Sequence, residues 1–471
     1  MYYGHYVNGI WGEDEETIVI KDKYTEKEFA KIGSASKKRV SEAVENAQFT
    51  FNTVGLSPVE RYNILMRASE LIKKRKKELV NVIVSEAGKV YNEASTEVDR
   101  TIQTFIASAE EAKRISGTEI PMSQPNSENK LAFTVRDPVG VIGAITPFNY
   151  PLNLTAHKIG PAIASGNTVV LKPASLTPIS ACKLVDIMTD SGLPAGFLNL
   201  VNGSGKETGE FLLEDTRIDM YTFTGSPEIG KHIKNKTGIK KVALELGNNS
   251  PNIIHKDATN LQQIVQSCVN KGFSNAGQSC IAVQKIYVHE EIYDEVVKRA
   301  KEITNKMVVG NPENEQTQVG PMITESEAKR AENWVLNAEQ EGAKILSGGT
   351  RSKSVFTPTL LIDVKEEMKV ACEEIFAPVI SVISYNDIEK LFNTINGSNL
   401  ALQAGLFTSN MQLALNAMQK LRFGGVIIND VSSFRADIMP YGGIKDSGLG
   451  KEGPHYAVQE MTNEKLIVIN L

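Results

Sequence analysis

Apolar residues recur at helical spacing early in the chain. Val40, Ala43, Val44, Ala47 and Phe51 predict one amphipathic helix, and Ile64, Leu65, Ala68, Leu71 and Ile72 predict a second. The basic run 73–77 extends that second helix as a solvated face. From about residue 139 the period changes. Short apolar runs at 139–145, 168–171, 197–201, 220–223 and 242–246 read as strands, with helical segments near 157–164, 179–191 and 207–213 between them. This β-α-β rhythm predicts a parallel, doubly wound sheet, which places ligands at the C-terminal ends of its strands. A second α/β series starts near residue 252, with strands near 285–288, 379–383 and 425–428. Two lobes follow, and the cleft between them is the natural place for a site. The segment 118–136 and the tail 465–471 belong to neither lobe. In the tail, Leu466, Val468 and Asn470 alternate with Ile467, Ile469 and Leu471, as in a terminal strand that needs a pairing partner.

Charge and cysteine usage narrow the classes. Lys+Arg number 51 against Asp+Glu 56, a net charge of -5, so neither nucleic acid nor an anionic membrane is an expected partner. No apolar run approaches the ~18 residues of a membrane span. The first residues lack the basic-then-apolar order of a secretory signal. Cys182, Cys268, Cys280 and Cys372 lie far apart with no CxxC pair. Neither a disulfide framework nor a metal site is expected, and a reducing cytoplasm is the expected location.

Several segments carry candidate chemistry. Gly203, Gly205 and Gly209 form GxGxxxG after a strand, one residue too long for the dinucleotide fingerprint. The run Gly225-Ser-Pro-Glu-Ile-Gly-Lys231 nearly spells a P-loop, but His232 stands where magnesium binding needs a hydroxyl. It leaves a turn after Phe223 that opens a helix, whose free N–H groups suit a pyrophosphate; a plain structural turn is the alternative. Cys280 ends a run of small and polar residues, Asn275-Ala-Gly-Gln-Ser, after a helical segment at 261–273. Such a thiol is open to a nucleophilic role or is a buried inert side chain, and no His–Asp partner is identifiable by spacing. Glu245 closes an apolar strand, where a carboxylate is either paired or functional. Asn149 follows another, and its amide suits either an oxyanion or a turn.

Taken in order, these segments resemble the aldehyde dehydrogenase superfamily over nearly the whole chain. The carrying motifs are ITPFNYP (145–151), LKPAS (171–175), FTGSPEIG (223–230), LELG (244–247), NAGQSC (275–280), EEIFAP (373–378) and MPYGGIKDSGLGKEG (439–453). The resemblance implies two doubly wound Rossmann-like lobes and a small β arm for oligomerisation. It assigns 1–117 and 139–247 to the cofactor domain, 248–441 to the catalytic domain, and 118–138 with 442–471 to the arm. It implies a homo-oligomer, dimer or tetramer, acting on a small aldehyde with NAD or NADP. Cys280 would be the thiolate that attacks the aldehyde, with the oxyanion held by the Asn149 side chain and the Cys280 N–H. Glu245 would activate the water that releases the acid. Lys172 and Glu374 would hold ribose hydroxyls, Phe376 would abut the nicotinamide, and Gly225 and Ser226 would meet the pyrophosphate. Ile145, Thr146, Pro147, Ala174, Ser175, Gly205, Gly209, Phe223, Leu246 and Gly247 would complete the cofactor surface.

Departures from the pattern bear on substrate. Asn248-Asn249 stands where the family has a second glycine after Gly247, which leaves the local backbone path open. Cys280 and Glu245 together argue against the acyl-CoA-forming branch and against a non-catalytic relative. Members that oxidise succinate semialdehyde carry arginines where this chain has His157 and Ser274. The non-phosphorylating glyceraldehyde-3-phosphate branch carries one where it has Ser279. The segments 151–158, 426–430 and 434–441 resemble the lactaldehyde-type branch. The expected reaction is therefore oxidation of a short, hydroxylated aldehyde to its acid through a cysteine thioester. The alternatives are a semialdehyde or sulfo/phospho-aldehyde dehydrogenase gripping its anionic tail with Arg435, and a non-catalytic binder of the same fold. Arg435 serves equally as a surface or subunit contact on this reading.

Overall fold

In the computed structural model, which describes residues 1–471, the five expected strands of the first lobe form one parallel sheet. Its order is Lys241–Glu245, Met220–Thr224, Val141–Ile145, Thr168–Lys172, Leu198–Leu200. The first strand in sequence, Val141–Ile145, is central, with later strands added to both sides. This makes the gap between Val141–Ile145 and Met220–Thr224 a topological switch point, where a crevice opens at the carboxyl ends. Tyr6–Val7 and Ile10–Trp11 extend one edge of the sheet and Gly448–Leu449 the other, all antiparallel.

Local chemistry explains the helices around it. Ser57 and Glu60 form a reciprocal capping box with Pro58 at the first position, starting Pro58–Lys74. The basic run extends that helix only through Lys74, not through its whole length as the sequence suggests. Arg75 ends it, and Lys76–Ala87 starts afresh, with Arg75 paired to Asp190 and Lys76 to Asp99. Asn153–Ala164 is buried all round, so it reads as an apolar run with His157 and Lys158 embedded in it.

The second lobe is a seven-stranded sheet in the order Lys344–Ser347, Thr359–Ile362, Val379–Tyr385, Lys285–His289, Pro251–Ile254, Gln403–Phe407, Gly425–Ile428. All pairs are parallel except the outermost, Lys344–Ser347 on Thr359–Ile362. Each lobe has its own apolar core, around Ile142, Leu171 and Leu184 in the first and Phe273, Ile286 and Ile380 in the second. Between them lies a small apolar patch of Ile281, Leu402 and Tyr441, with Cys280 and Met439 packed on it.

The tail strand Thr462–Asn470 pairs antiparallel with Lys130–Pro138, which also pairs with Glu119–Ile120. This ribbon stands apart from both large sheets. Residues just before it are different: Val458 and Met461 enter the first-lobe core, so the ribbon's share of the tail begins at Thr462.

Candidate active site

The loop carrying Cys280 is built from backbone conformations that cost energy. Asn275 and Ala276 both have positive φ, 50° and 52°, and Gly277 follows at 71°. A non-glycine residue there is disfavoured by ~1–2 kcal/mol, so surrounding bonds must hold it. Glu93, at the start of the helix Tyr91–Ala112, accepts from the Asn275 N–H at 2.9 Å and from the Ser274 hydroxyl at 2.5 Å. The Asn275 amide donates to the carbonyls of Asn149 and Gln278 at 3.2 and 3.1 Å. Gln278 in turn accepts from the Ile323 N–H at 2.8 Å. Ser274 is thus a hydroxyl that ties the loop to Glu93.

Cys280 presents its sulfur toward Tyr441, whose hydroxyl lies 2.8 Å away. Burial pushes the thiol up to about 12, against the pull of the Tyr441 bond and the Arg435 charge. The neighbouring Gly442 faces Glu245, for a Cβ there would lie 2.8 Å from its carboxylate oxygen. Consecutive residues of one loop therefore touch the thiol and the carboxylate. Glu245 ends the strand Lys241–Glu245, buried, with one oxygen lacking any hydrogen-bond partner. Burial raises its pKa well above the usual carboxylate range, and the charge of Glu452 raises it further.

Glu452 holds the opposite state. Burial opposes its charge, but Lys158 at 3.1 Å and Arg435 at 2.9 Å more than offset this and keep it at about 2. Two buried carboxylates with pKa values driven apart are a mark of acid–base work. Sequence reasoning missed Lys158, Glu452 and Tyr441. A lysine inside the apolar segment 151–164 was the available signal for the first.

Asn149 is tied to the loop that carries Cys280. Its Nδ2 donates to the Gln278 carbonyl at 3.0 Å, its Oδ1 accepts from the Tyr150 N–H at 3.1 Å, and its second N–H is free. Arg435 is a buried side chain, 7% exposed, so the surface-contact expectation is corrected. Its guanidinium lies 3.7 Å from the Tyr441 ring centroid, and its Nε has no partner. His157 is buried against Asp437 at 2.9 Å, and Asp437 also takes a two-pronged bond from Arg100 at 3.0 and 2.7 Å. A cavity of about 370 Å³ opens onto Cys280 and Tyr441, with Tyr150, Ser279, Arg100 and Arg435 among its walls.

The other expected positions gather at the carboxyl ends of the first sheet. Ile145 pairs with Lys172 and Phe223, and the Thr146 N–H reaches the Lys172 carbonyl at 3.2 Å. Pro147 follows in the same turn, and Ala174 and Ser175 continue from Lys172, with no hydrogen bond on the half-buried Ser175 hydroxyl. Lys172 is 3% exposed, makes one bond, to the Pro173 carbonyl at 3.1 Å, and is lowered by burial to about 8. Gly209 faces its alkyl chain, while Gly205 borders open space. The Gly225 N–H reaches the Glu245 carbonyl at 3.0 Å, and Ser226 caps the helix Pro227–Thr237, onto which Leu246 packs. A Cβ on Gly247 would collide with Glu374, whose carboxyl accepts from the Asn248 N–H at 3.1 Å and is raised by burial to about 8. The Asn248-Asn249 departure is thus accommodated: the Asn248 side chain also accepts from the Leu402 N–H at 3.2 Å. Phe376 meets Phe148 edge-on at 5.9 Å.

A two-lobed α/β protein with a thiol, a free amide N–H and a raised carboxylate at the lobe junction defines an enzyme of nucleophilic carbonyl chemistry. Residues 11–467 match the aldehyde dehydrogenase family, and the chain belongs to it. It is similar to the 3-sulfolactaldehyde dehydrogenase of Priestia aryabhattai, 50% identical over 470 residues, covering 100% of this chain and 98% of that one. The lactaldehyde dehydrogenase of Methanococcus aeolicus is 40% identical over 470 residues, covering 99% of each. Among solved structures, glyceraldehyde-3-phosphate dehydrogenase GapN from Methanocaldococcus jannaschii, complexed with NADP, superposes with a TM-score of 0.93 at 40% identity, covering 98% of this chain and 100% of that one. This protein is an aldehyde dehydrogenase.

Proposed function

We propose that the protein oxidises a short 2-hydroxyaldehyde of the lactaldehyde type to its acid, using NAD or NADP and a thioester on Cys280. The observation that carries the reading is the single loop that touches both the Cys280 thiol and the Glu245 carboxylate, through Tyr441 and Gly442. The thiolate of Cys280 attacks the aldehyde carbon. The resulting oxyanion takes hydrogen bonds from the free Asn149 amide N–H and the Cys280 backbone N–H. Collapse releases a hydride and leaves the thioester. Glu245 then takes a proton from water, whose oxygen attacks the thioester carbon and returns the thiolate. A carboxyl with a raised pKa suits that base.

The residues at the carboxyl ends of the first sheet, together with Glu374 and Phe376 from the second lobe, fit a dinucleotide. The Lys172 ammonium is buried with one carbonyl partner and has donors to spare, and Glu374 is a buried carboxyl with one bonded oxygen. Both suit ribose hydroxyls. The capped helix start after Gly225 suits the pyrophosphate. When bound, the nicotinamide supplies the hydride acceptor. Gly247 leaves room beside Glu374, and Phe376 stands ready to abut the ring.

The lactaldehyde and sulfolactaldehyde readings share the 2-hydroxyaldehyde and differ at the third carbon, a methyl in one and a sulfonate-bearing methylene in the other. Arg435, a cation on the wall of the cavity at Cys280, favours the second as a hydrogen-bond donor to the sulfonate. His157, Ser274 and Ser279, in place of arginines, favour neutral hydroxyaldehydes over succinate semialdehyde. A kcat/KM panel of lactaldehyde, glycolaldehyde, 3-sulfolactaldehyde and succinate semialdehyde, each with NAD and NADP, tests this. Highest efficiency with succinate semialdehyde would overturn it.

The exposed apolar side chains of the tail ribbon, among them Leu466, Val468 and Ile469, support a homo-oligomer in which this edge meets a neighbouring subunit. The four cysteines are unpaired, in keeping with a cytoplasmic location.

A further inference from the structure

No histidine serves the Cys280 sulfur; its one hydrogen-bond partner is the Tyr441 hydroxyl at 2.8 Å. That hydroxyl has no other partner in the fold; against a neutral thiol either group can donate, but against the thiolate only the hydroxyl can. Tyr441 cannot swing away easily. Its backbone N–H donates to the Glu452 carbonyl at 3.1 Å, and the Glu452 N–H donates back at 2.6 Å. The Arg435 guanidinium covers the ring at 3.7 Å from the centroid and bonds Glu452 at 2.9 Å. Arg435, Tyr441 and Glu452 thus close a clamp that fixes the phenol 2% exposed against the sulfur. A cation over the ring draws electron density from it and makes the hydroxyl a stronger donor.

We propose that Tyr441 is a further catalytic residue: its hydroxyl donates to the Cys280 thiolate and so supplies the nucleophile in a pocket that has no basic partner for it. The inference rests on Cys280 being the nucleophile. A buried thiol is otherwise held in its neutral form, and burial does push this one up. The phenol keeps its proton throughout. As the sulfur lone pair becomes the S–C bond, negative charge passes to the aldehyde oxygen and the hydrogen bond to sulfur weakens.

Magnitude follows from two opposing effects. A hydrogen bond to a charged group raises the thiolate fraction at fixed pH by about 10- to 100-fold. Lowering a thiol's pKa also lowers its nucleophilicity, with a Brønsted slope of about 0.4–0.5. The net gain in attack rate is therefore roughly 3- to 15-fold.

The test is the pH profile of Cys280 alkylation by iodoacetamide, read by peptide mass spectrometry in the wild type and in Tyr441→Phe, with residual dehydrogenase activity followed in parallel. Phenylalanine keeps the ring and removes only the hydroxyl. The expected result is alkylation about 3- to 15-fold slower in the variant at each pH below the thiol's midpoint. The acid limb of kcat should move the same way. Superimposable profiles would overturn the role of Tyr441. Activity surviving complete alkylation of Cys280 would instead overturn the nucleophile assignment, whichever way the profiles fell.

Discussion

Replacing Ser175 by glutamate should turn an enzyme that accepts both cofactors into one selective for NAD. Ser175 is half-buried, its hydroxyl takes part in no hydrogen bond, and it lies three residues after the buried Lys172. In the proposed cofactor placement that hydroxyl meets either the 2′-hydroxyl of NAD or the 2′-phosphate of NADP. A carboxylate about 4 Å from a phosphate charge costs ~4 kcal/mol at an effective dielectric of about 20. Partial exposure and salt reduce this to about 1.5–3 kcal/mol, or roughly 10- to 150-fold. Wild-type kcat/KM should therefore agree within about tenfold between the two cofactors, and Ser175→Glu should shift the ratio toward NAD by the larger factor. Lys172 adds a pH signature. Its pKa is lowered by burial to about 8, so the ammonium that attracts the 2′-phosphate is present below that pH and lost above it. KM for NADP should rise through that pH while KM for NAD responds less. Initial rates with both cofactors from pH 6.5 to 9.5 measure all of this. A wild type that rejects NADP a thousandfold, or a variant with an unchanged ratio, would refute the reasoning.

Glu93→Ala should loosen the nucleophile loop by leaving the Asn275 N–H and the Ser274 hydroxyl without their acceptor, at ~1–3 kcal/mol each. Urea unfolding should show ~2–4 kcal/mol less stability, with kcat reduced and cofactor KM unchanged; unchanged stability and kcat would show that the bonds from Glu93 to the loop are dispensable. Deleting residues 465–471 removes most of the strand paired with Lys130–Pro138 and should yield smaller or aggregated species in light scattering. A well-behaved, fully active particle of unchanged mass would contradict the proposed subunit contact.

The first lobe was legible in the sequence because its strands are short buried apolar runs separated by periodic helices, as at Val141–Ile145 and Thr168–Lys172. In the second lobe the expected strands lay in the right places, but Thr359–Ile362 and Gln403–Phe407 passed unseen. Their pairing is set by distant neighbours, Val379–Tyr385 and Pro251–Ile254, rather than by local period. The basic run at 73–77 misled because charge periodicity does not reveal a break; Arg75, with its partner Asp190 far along the chain, marks it. Cys280, Glu245 and Asn149 could be named from their motifs. Tyr441, Glu452 and Lys158 could not, since their meaning lies in contacts across 161 to 294 residues of sequence. Arg435 shows the same limit. Its segment reads as a loop, and only packing against Tyr441 and Glu452 makes it a buried charge.

The central claim is a thioester on Cys280 that Glu245 hydrolyses, and Glu245→Gln tests it most directly. Rapid mixing of the variant with aldehyde and cofactor should release one equivalent of reduced cofactor per site, then stall. Steady turnover should fall by at least about 10²-fold, the usual share of a general base. Mass spectrometry of the stalled protein should place the acyl group on Cys280. Steady turnover at the wild-type rate, or an acyl group absent from Cys280, would contradict the account.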